Sequence, residues 1–194
     1  EYPNGITEAQ ADILLREMLQ KFETSLDKFL QDSNLTLTDN QYDALISLTY
    51  NIGAGWMKDT RLSKLLQSGN YTNNEIASAI GIWCHVKENG VTSIHNGLVS
   101  RRIAEINVFL YGDYSGSDSG FCWVKFTSDK GSCERDIAFY ETGSTCNPFF
   151  TAECDDGDVF AGWYTSDGEE LTADMTVWQN LTVTARWQSE EFWY

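Results

Sequence analysis

Apolar positions recur at helical spacing through the first half of the chain and alternate through the second. Thr7-Glu-Ala-Gln10 has the residue types of a capping box, with Ile6 placed to staple against Ala11. Behind it Leu14, Leu15, Met18, Leu19, Phe22, Leu26, Phe29 and Leu30 fall on one stripe, which predicts a helix facing a core. Thr38-Asp-Asn-Gln41 repeats the box, with Leu37 and Tyr42 as the second staple. It opens a helix that buries Leu45, Ile46 and Leu48 and stops near Gly53. A short helix from about Thr60 ends at Gly69, and Thr72-Asn-Asn-Glu75 opens another carrying Ile76, Ala79, Ile80 and Trp83. A loop containing Gly90 leads to a last helix from about Gly97 to Tyr111, ended by Gly112. Five helices with short connections predict one all-helical lobe over 1–112.

Asp113-Tyr-Ser-Gly-Ser-Asp-Ser-Gly120 is small, polar and Gly-rich, and reads as a flexible linker. After it the period becomes two. Phe121–Phe126, Ile137–Tyr140, Phe160–Tyr164 and Leu181–Trp187 predict four strands of a small β module over 121–188, followed by a tail over 189–194. The fold class is therefore α+β: a helical lobe, then a small sheet.

Charge narrows the partners. Residues 1–113 hold nine basic and fourteen acidic groups; residues 114–194 hold four and fifteen, a balance of −11 in a chain of −16. That excludes nucleic acid, whose binding rests on cations meeting phosphates, and disfavours anionic membrane surfaces. No apolar run approaches the length of a membrane span, and no signal peptide is visible. Cys84 reads as a packed thiol on an apolar helix. Cys122, Cys133, Cys146 and Cys154 crowd the module without Cys-x-x-Cys spacing or a nearby His, so zinc fits poorly and no metal or cofactor is implied. Two disulfides of open pairing, stapling a small module in an oxidising compartment, are expected; four reduced cysteines are the alternative.

Three segments carry a resemblance: Ile6-Thr-Glu-Ala-Gln-Ala-Asp-Ile-Leu-Leu15, Leu37-Thr-Asp-Asn-Gln-Tyr-Asp-Ala-Leu-Ile-Ser-Leu-Thr-Tyr-Asn-Ile-Gly53 and Gly97-Leu-Val-Ser-Arg-Arg-Ile-Ala-Glu105. In this order they resemble the helical lobe of phage-type lysozymes, glycoside hydrolase family 24. The resemblance implies cleavage of the β-1,4 bond between N-acetylmuramic acid and N-acetylglucosamine in peptidoglycan. Such chemistry needs a protonated carboxyl at the leaving oxygen. In the resembled family the acid lies in an N-terminal lobe, ending in a Thr-Ile-Gly-Tyr-Gly-His type of strand, and no such segment is present. The chain opens on Glu1-Tyr-Pro, which reads as a processed or truncated product. No catalytic residue is therefore assigned. Glu1 and Glu8, at or near a helix start, and Glu105, beside Arg101 and Arg102, stand where the carboxylate form is favoured, which is wrong for a general acid.

By the same resemblance the turn Tyr50–Trp56 lines a saccharide cleft. Asn51 is then a hydrogen-bonding group and Trp56 a stacking surface, or else a cap and a core residue. Trp83 reads as cleft wall or core. Arg101 and Arg102 orient an acid or substrate group, or pair with Glu105. His85 and His95 read as ordinary surface or loop residues. Phe160–Gly168, Leu171-Thr and Leu181–Trp187 resemble the Listeria–Bacteroides repeat, a small β-grasp-like module, in about residues 159–187; the cysteines and Asn147–Phe150 depart from it. Trp163, Tyr164 and Trp187 read as its core or as a binding face. The expected protein is part of an endolysin-like muramidase with a wall- or partner-binding module, working outside the cell or in the wall. Its partners are peptidoglycan glycan strands and a separate N-terminal lobe. The alternative is a non-catalytic glycan- or protein-binding adhesion protein.

Overall fold

A computed structural model describes residues 5–155 and 157–189; Glu1 and the expected tail beyond Ser189 lie outside them. The helices are α1 (Glu8–Ser33), α2 (Asp39–Ile52), α3 (Arg61–Ser68), α4 (Asn73–Gly81) and α5 (Asn96–Tyr111), with a 3-10 turn at Ala54–Met57. Their starts follow the capping chemistry. Gln10 N–H donates to Thr7 Oγ1 at 3.2 Å while Thr7 N–H donates to Gln10 Oε1 at 2.9 Å. Thr38 N–H donates to Gln41 Oε1 at 3.1 Å, and Thr72 N–H to Glu75 Oε2 at 2.9 Å. Asn34, Gly69 and Gly112 end α1, α3 and α5 in left-handed conformation, as helix C-termini favour.

Two readings of the lobe are corrected. The loop around Gly90 is a hairpin, β1 (His85–Glu88) and β2 (Val91–Ile94), so the lobe is not all helical. Asn89 (φ 49°) and Gly90 (φ 84°) make its turn, the Asn-Gly pair that favours tight hairpins. The apolar stripe of α1 is also only half covered. Leu26 and Phe29 are buried, whereas Leu15 and Met18 are exposed. At 26 residues, about 39 Å, α1 projects its first turns beyond the core.

The second half forms β3 (Phe121–Thr127), β4 (Ser132–Cys133), β5 (Ile137–Glu141), β6 (Ser144–Thr145), β7 (Ala152–Glu153), β8 (Asp158–Tyr164), β9 (Glu170–Leu171), β10 (Thr176–Val177) and β11 (Leu181–Ser189). The main sheet runs β5-β3-β11-β8-β9, with β3 and β11 parallel at its centre. Alternation along β3 and β5 divides their side chains between two cores. Phe121, Ile137 and Phe139 join the helical core around Leu45, Leu48, Ile76 and Ile106. Val124, Phe126, Ala138 and Tyr140 join the module core with Phe150, Trp163 and Val183. Thus β5 is buried on both faces.

The free edge of β5 is closed by side chains of α4. Ser78 Oγ accepts from Phe139 N–H at 2.9 Å and donates to Phe139 O at 3.0 Å. Asn74 Oδ1 accepts from Glu141 N–H at 2.8 Å, and its Nδ2 donates to Asn147 O at 3.0 Å. An unpaired edge invites strand addition, and here a helix occupies it. Residues 113–120, expected to be a flexible linker, are pinned: Asn107 Nδ2 donates to Ser117 O at 3.0 Å and Ser119 O at 2.8 Å, and Tyr114 Oη donates to Asp43 Oδ2 at 2.7 Å. Asn74→Ala strands buried backbone groups at this edge and is expected to cost about 2 kcal/mol. The check is a lower urea midpoint at unchanged m-value, with circular dichroism and tryptophan fluorescence reporting one shared transition.

The expected disulfides are not formed. No pair among Cys122, Cys133, Cys146 and Cys154 stands at bonding distance. Cys122 Sγ lies 3.3 Å from Thr142 Oγ1, and Cys146 is buried beside Tyr140, where desolvation raises its pKa. The expectation assumed a small module stabilising itself alone. Sharing β3 and β5 with the helical core supplies the burial a covalent staple would replace. Cys84 is buried as expected, its thiol pushed up to about 11 by desolvation, but it lies beyond the end of α4. Among the described residues no helix is long and apolar enough to cross a membrane.

Candidate functional site

The C-terminal end of α2 and the first turns of α5 bring the central residues together. Arg102 projects from α5 into the interior, its side chain 0% exposed. A guanidinium taken from water requires acceptors. Its Nε stands 3.0 Å from Glu105 Oε2, an ion contact without hydrogen-bond alignment, and its Nη2 donates to Asn51 Oδ1 at 2.7 Å. Burial lowers the Arg102 pKa from the usual arginine value, and the Glu105 charge opposes that shift. Glu105 Oε1 also accepts from Ser47 Oγ at 2.7 Å and from Arg101 Nε at 3.0 Å. The carboxylate is thus the hub of a network whose outer end is the Asn51 carboxamide, on an exposed residue at the end of α2. Fixing Oδ1 on Arg102 directs Asn51 Nδ2 away from it, as a donor.

Ile52 continues from Asn51 into a concavity of about 310 Å³ lined with Ile82, Trp83 and His85. Trp83 is half-buried, its indole Nε1 covered and without a partner among the described residues. His85 Nδ1 lies 2.9 Å from Ile82 O, and Nε2 lies 2.6 Å from Asp136 Oδ2. The β module therefore touches the wall of this concavity through Asp136. The sequence reading of His85 as an ordinary loop residue missed that contact, and no local signal pairs residues 51 positions apart. Ser47 was missed too, although it lies one turn before Asn51 on α2.

The five expected binding residues do not form one site. Asn51 and Arg102 are in contact, and Trp83 lines the adjoining concavity. Arg101 instead lines a separate groove of about 360 Å³ with Asp43, Ser47, Glu105 and Tyr114. Trp56 is core: it is 1% exposed, meets Phe29 edge-on at 5.6 Å, and donates from Nε1 to Thr49 Oγ1 at 2.9 Å. The Gly-flanked turn curls Trp56 inward under α1, so it offers no stacking surface. Among the described residues no group of three His, Cys, Asp or Glu is placed to hold a metal ion.

The phage lysozyme family model matches residues 1–105, more than half of the chain. The chain belongs to the phage lysozyme family. Relatives of this lysozyme-family chain include the endolysin of Bacillus phage B103, 37% identical over 108 residues, which are 56% of this chain and 38% of that protein. The endolysin of Acyrthosiphon pisum secondary endosymbiont phage 1 is 37% identical over 105 residues, 54% of this chain and 68% of that protein. Among solved structures, the endolysin from Escherichia coli O157:H7 phage FAHEc1 matches with TM-score 0.51 and 34% identity, over 56% of this chain and 66% of that one. The chain thus spans about two fifths to two thirds of the length of these relatives.

Proposed function

We propose that this chain is the helical, glycan-facing part of a peptidoglycan-hydrolysing lysozyme of glycoside hydrolase family 24. Its bond is the β-1,4 link between N-acetylmuramic acid and N-acetylglucosamine, and it acts at the bacterial cell wall, outside the cell or released by phage. The observation that carries the reading is Asn51, held as a donor by buried Arg102 beside the Trp83 concavity, in a chain of this family. An amide donor beside an indole wall suits an N-acetylated sugar, which presents carbonyl acceptors and flat C–H faces. The proton donor is proposed to come from a separate N-terminal lobe. Glu8 is exposed at a helix start and Glu105 is engaged by two arginines, so neither is placed as a protonated acid. The uncovered part of the α1 stripe, with Leu15 and Met18, supports the same partner, since an apolar helix face calls for a cover.

The strand order, with the first and last long strands of the module parallel at the centre, supports a β-grasp-like reading of residues 121–188. The module is proposed to bind the wall. The test is clearing of a suspension of bacterial cell walls. The chain alone is expected to leave turbidity unchanged, and the chain with a Glu-bearing N-terminal lobe to clear it; clearing by the chain alone overturns the assignment of the acid. The net charge of −16 favours a second reading, a non-catalytic glycan- or protein-binding surface protein, because anionic walls repel it at low salt. Wall binding without clearing, with the lobe supplied, selects that reading.

A further inference from the structure

Of the module's aromatic residues named in the sequence reading, Trp163 is 0% exposed, Trp187 is half-buried against the module core, and Tyr164 is covered by Arg186 at 3.9 Å. Trp178 does the opposite. It is 71% exposed, although an indole is large and apolar. Its position is nonetheless defined. It follows β10, whose two residues pair with β6, and Gly143 N–H donates to Val177 O at 2.8 Å. The ring lies against Gly143: a Cβ there would stand 2.9 Å from Trp178 Cζ3 and 3.1 Å from Cη2. Gly143 has φ +85°, so backbone conformation and ring contact both call for glycine. The indole is therefore seated on bare backbone and largely open to solvent.

A second exposed ring flanks the same turn. Tyr111, the last residue of α5, is 51% exposed and stacks on Phe121 at 6.3 Å between centroids. Its Oη donates to Glu141 Oε1 at 2.6 Å, and Asn73 Nδ2 donates to Glu141 Oε2 at 3.2 Å. Glu141, the last residue of β5, stands two residues before Gly143, which lies in the turn joining β5 to β6. Two fixed aromatic rings, one from each half of the protein, thus stand beside this turn: Trp178 against Gly143, and Tyr111 on the Glu141 carboxylate at the end of β5, which Asn73 at the start of α4 also holds. A carboxylate accepts up to about four hydrogen bonds, and Tyr111 and Asn73 supply two.

Charge selects the ligand class. The second half has four basic side chains, and each is engaged. Lys125 lies over the Trp123 ring, Lys130 pairs with Asp158, Arg135 lies over Phe150 and Arg186 over Tyr164. With a balance of −11 over residues 114–194, the surface repels anionic polymers. A flat exposed indole with carboxylate and amide acceptors suits a neutral hexose ring, whose axial C–H bonds meet the π face and whose hydroxyls donate at the edge. We propose that Trp178, with Tyr111, Glu141 and Asn73, forms a second saccharide-binding platform that holds neutral N-acetylated glycan. It lies apart from the Asn51 concavity, since Tyr111 is nine residues, about 14 Å, along α5 from Arg102. This rests on the wall-binding reading of the module and names the surface that does it.

The experiment is co-sedimentation of the full chain with purified peptidoglycan sacculi stripped of anionic wall polymers, with the N-acetylglucosamine trimer as competitor. The natural chain is expected to bind and to be displaced by the trimer. Trp178→Ala is expected to bind about tenfold more weakly, and Trp178→Phe to fall between, with melting midpoints unchanged. Equal binding by Trp178→Ala and the natural chain overturns the platform and leaves the wall-binding reading standing. Failure of the natural chain to bind stripped sacculi overturns both. Binding only to unstripped walls overturns the assignment to neutral saccharide.

Discussion

Gly81→Ala is expected to force the helical lobe and the sheet apart. A Cβ on Gly81 would stand 2.1 Å from Phe139 Cδ2 and 2.3 Å from Cε2. No contact at that distance survives, so one partner must move. Phe139 is 0% exposed, on a strand anchored to Ser78 through both backbone groups, and has nowhere to swing. Two effects oppose each other. Alanine favours a helix over glycine by about 1 kcal/mol. Overpacking a core costs about 3 kcal/mol at the upper end of its usual range, and here the clash is with a ring held on both sides. The clash wins, for a net loss of about 2 kcal/mol. Chemical denaturation of Gly81→Ala, Phe139→Leu and the pair measures it. The double variant is expected to be more stable than the sum of the single losses, because the smaller side chain vacates the space the new methyl takes. A Gly81→Ala protein as stable as the natural one would mean that α4 and β5 do not pack as described.

Glu105→Gln carries the other large effect. The substitution keeps the shape and removes the charge facing Arg102, whose side chain is 0% exposed. Breaking a buried ion pair from one side costs about 3–5 kcal/mol, because the remaining charge stays buried. The lower end is expected, since Asn51 Oδ1 still accepts from Arg102 Nη2 at 2.7 Å and Arg101, 38% exposed, turns to solvent. Replacing both members, Arg102→Met with Glu105→Leu, is expected to return most of the stability while releasing the Asn51 carboxamide. Glycan binding and lobe-complemented wall clearing are then expected to stay low in a well-folded protein. Full clearing by that double variant would remove Asn51 and its support from the site. Equal melting midpoints for Glu105→Gln and the natural chain would show that the network contributes nothing to stability.

Local chemistry was legible. Thr7, Thr38 and Thr72 open their helices with Gln or Glu three residues on, and Gly69 and Gly112 close theirs, because capping needs only neighbours in sequence. The β1–β2 hairpin was legible in Asn89-Gly90, yet its exposed alternation offers no apolar face, so it read as a loop. The short strands β4, β6, β7, β9 and β10 have two residues each, too few for a period to appear. The linker failed for a different reason. Ser and Gly declare flexibility locally, but Asn107, 4% exposed on α5, supplies the donor that pins Ser117 and Ser119.

The candidate site divides along the same line. Arg102 and Glu105 share a face of α5 at a separation of three, so their pairing lay in the spacing. Whether Arg102 reached Asn51 depended on how α2 and α5 cross, which no local pattern states. Trp56 and Trp178 make the contrast plain, at 1% and 71% exposed. Both follow turn or strand-end residues, where no helix or strand period marks a buried face. Capping residues and period by themselves determined the helix ends, composition the acidic balance, and resemblance of three segments to phage-type lysozymes the family. Tertiary packing alone decided which indole is core, where the Asn51 amide points, that the thiols do not bridge, and that the sheet is docked on α4 rather than tethered. Hydrogen-bonded caps close within one turn of chain, whereas burial is a property of two surfaces that meet only when the whole molecule has folded.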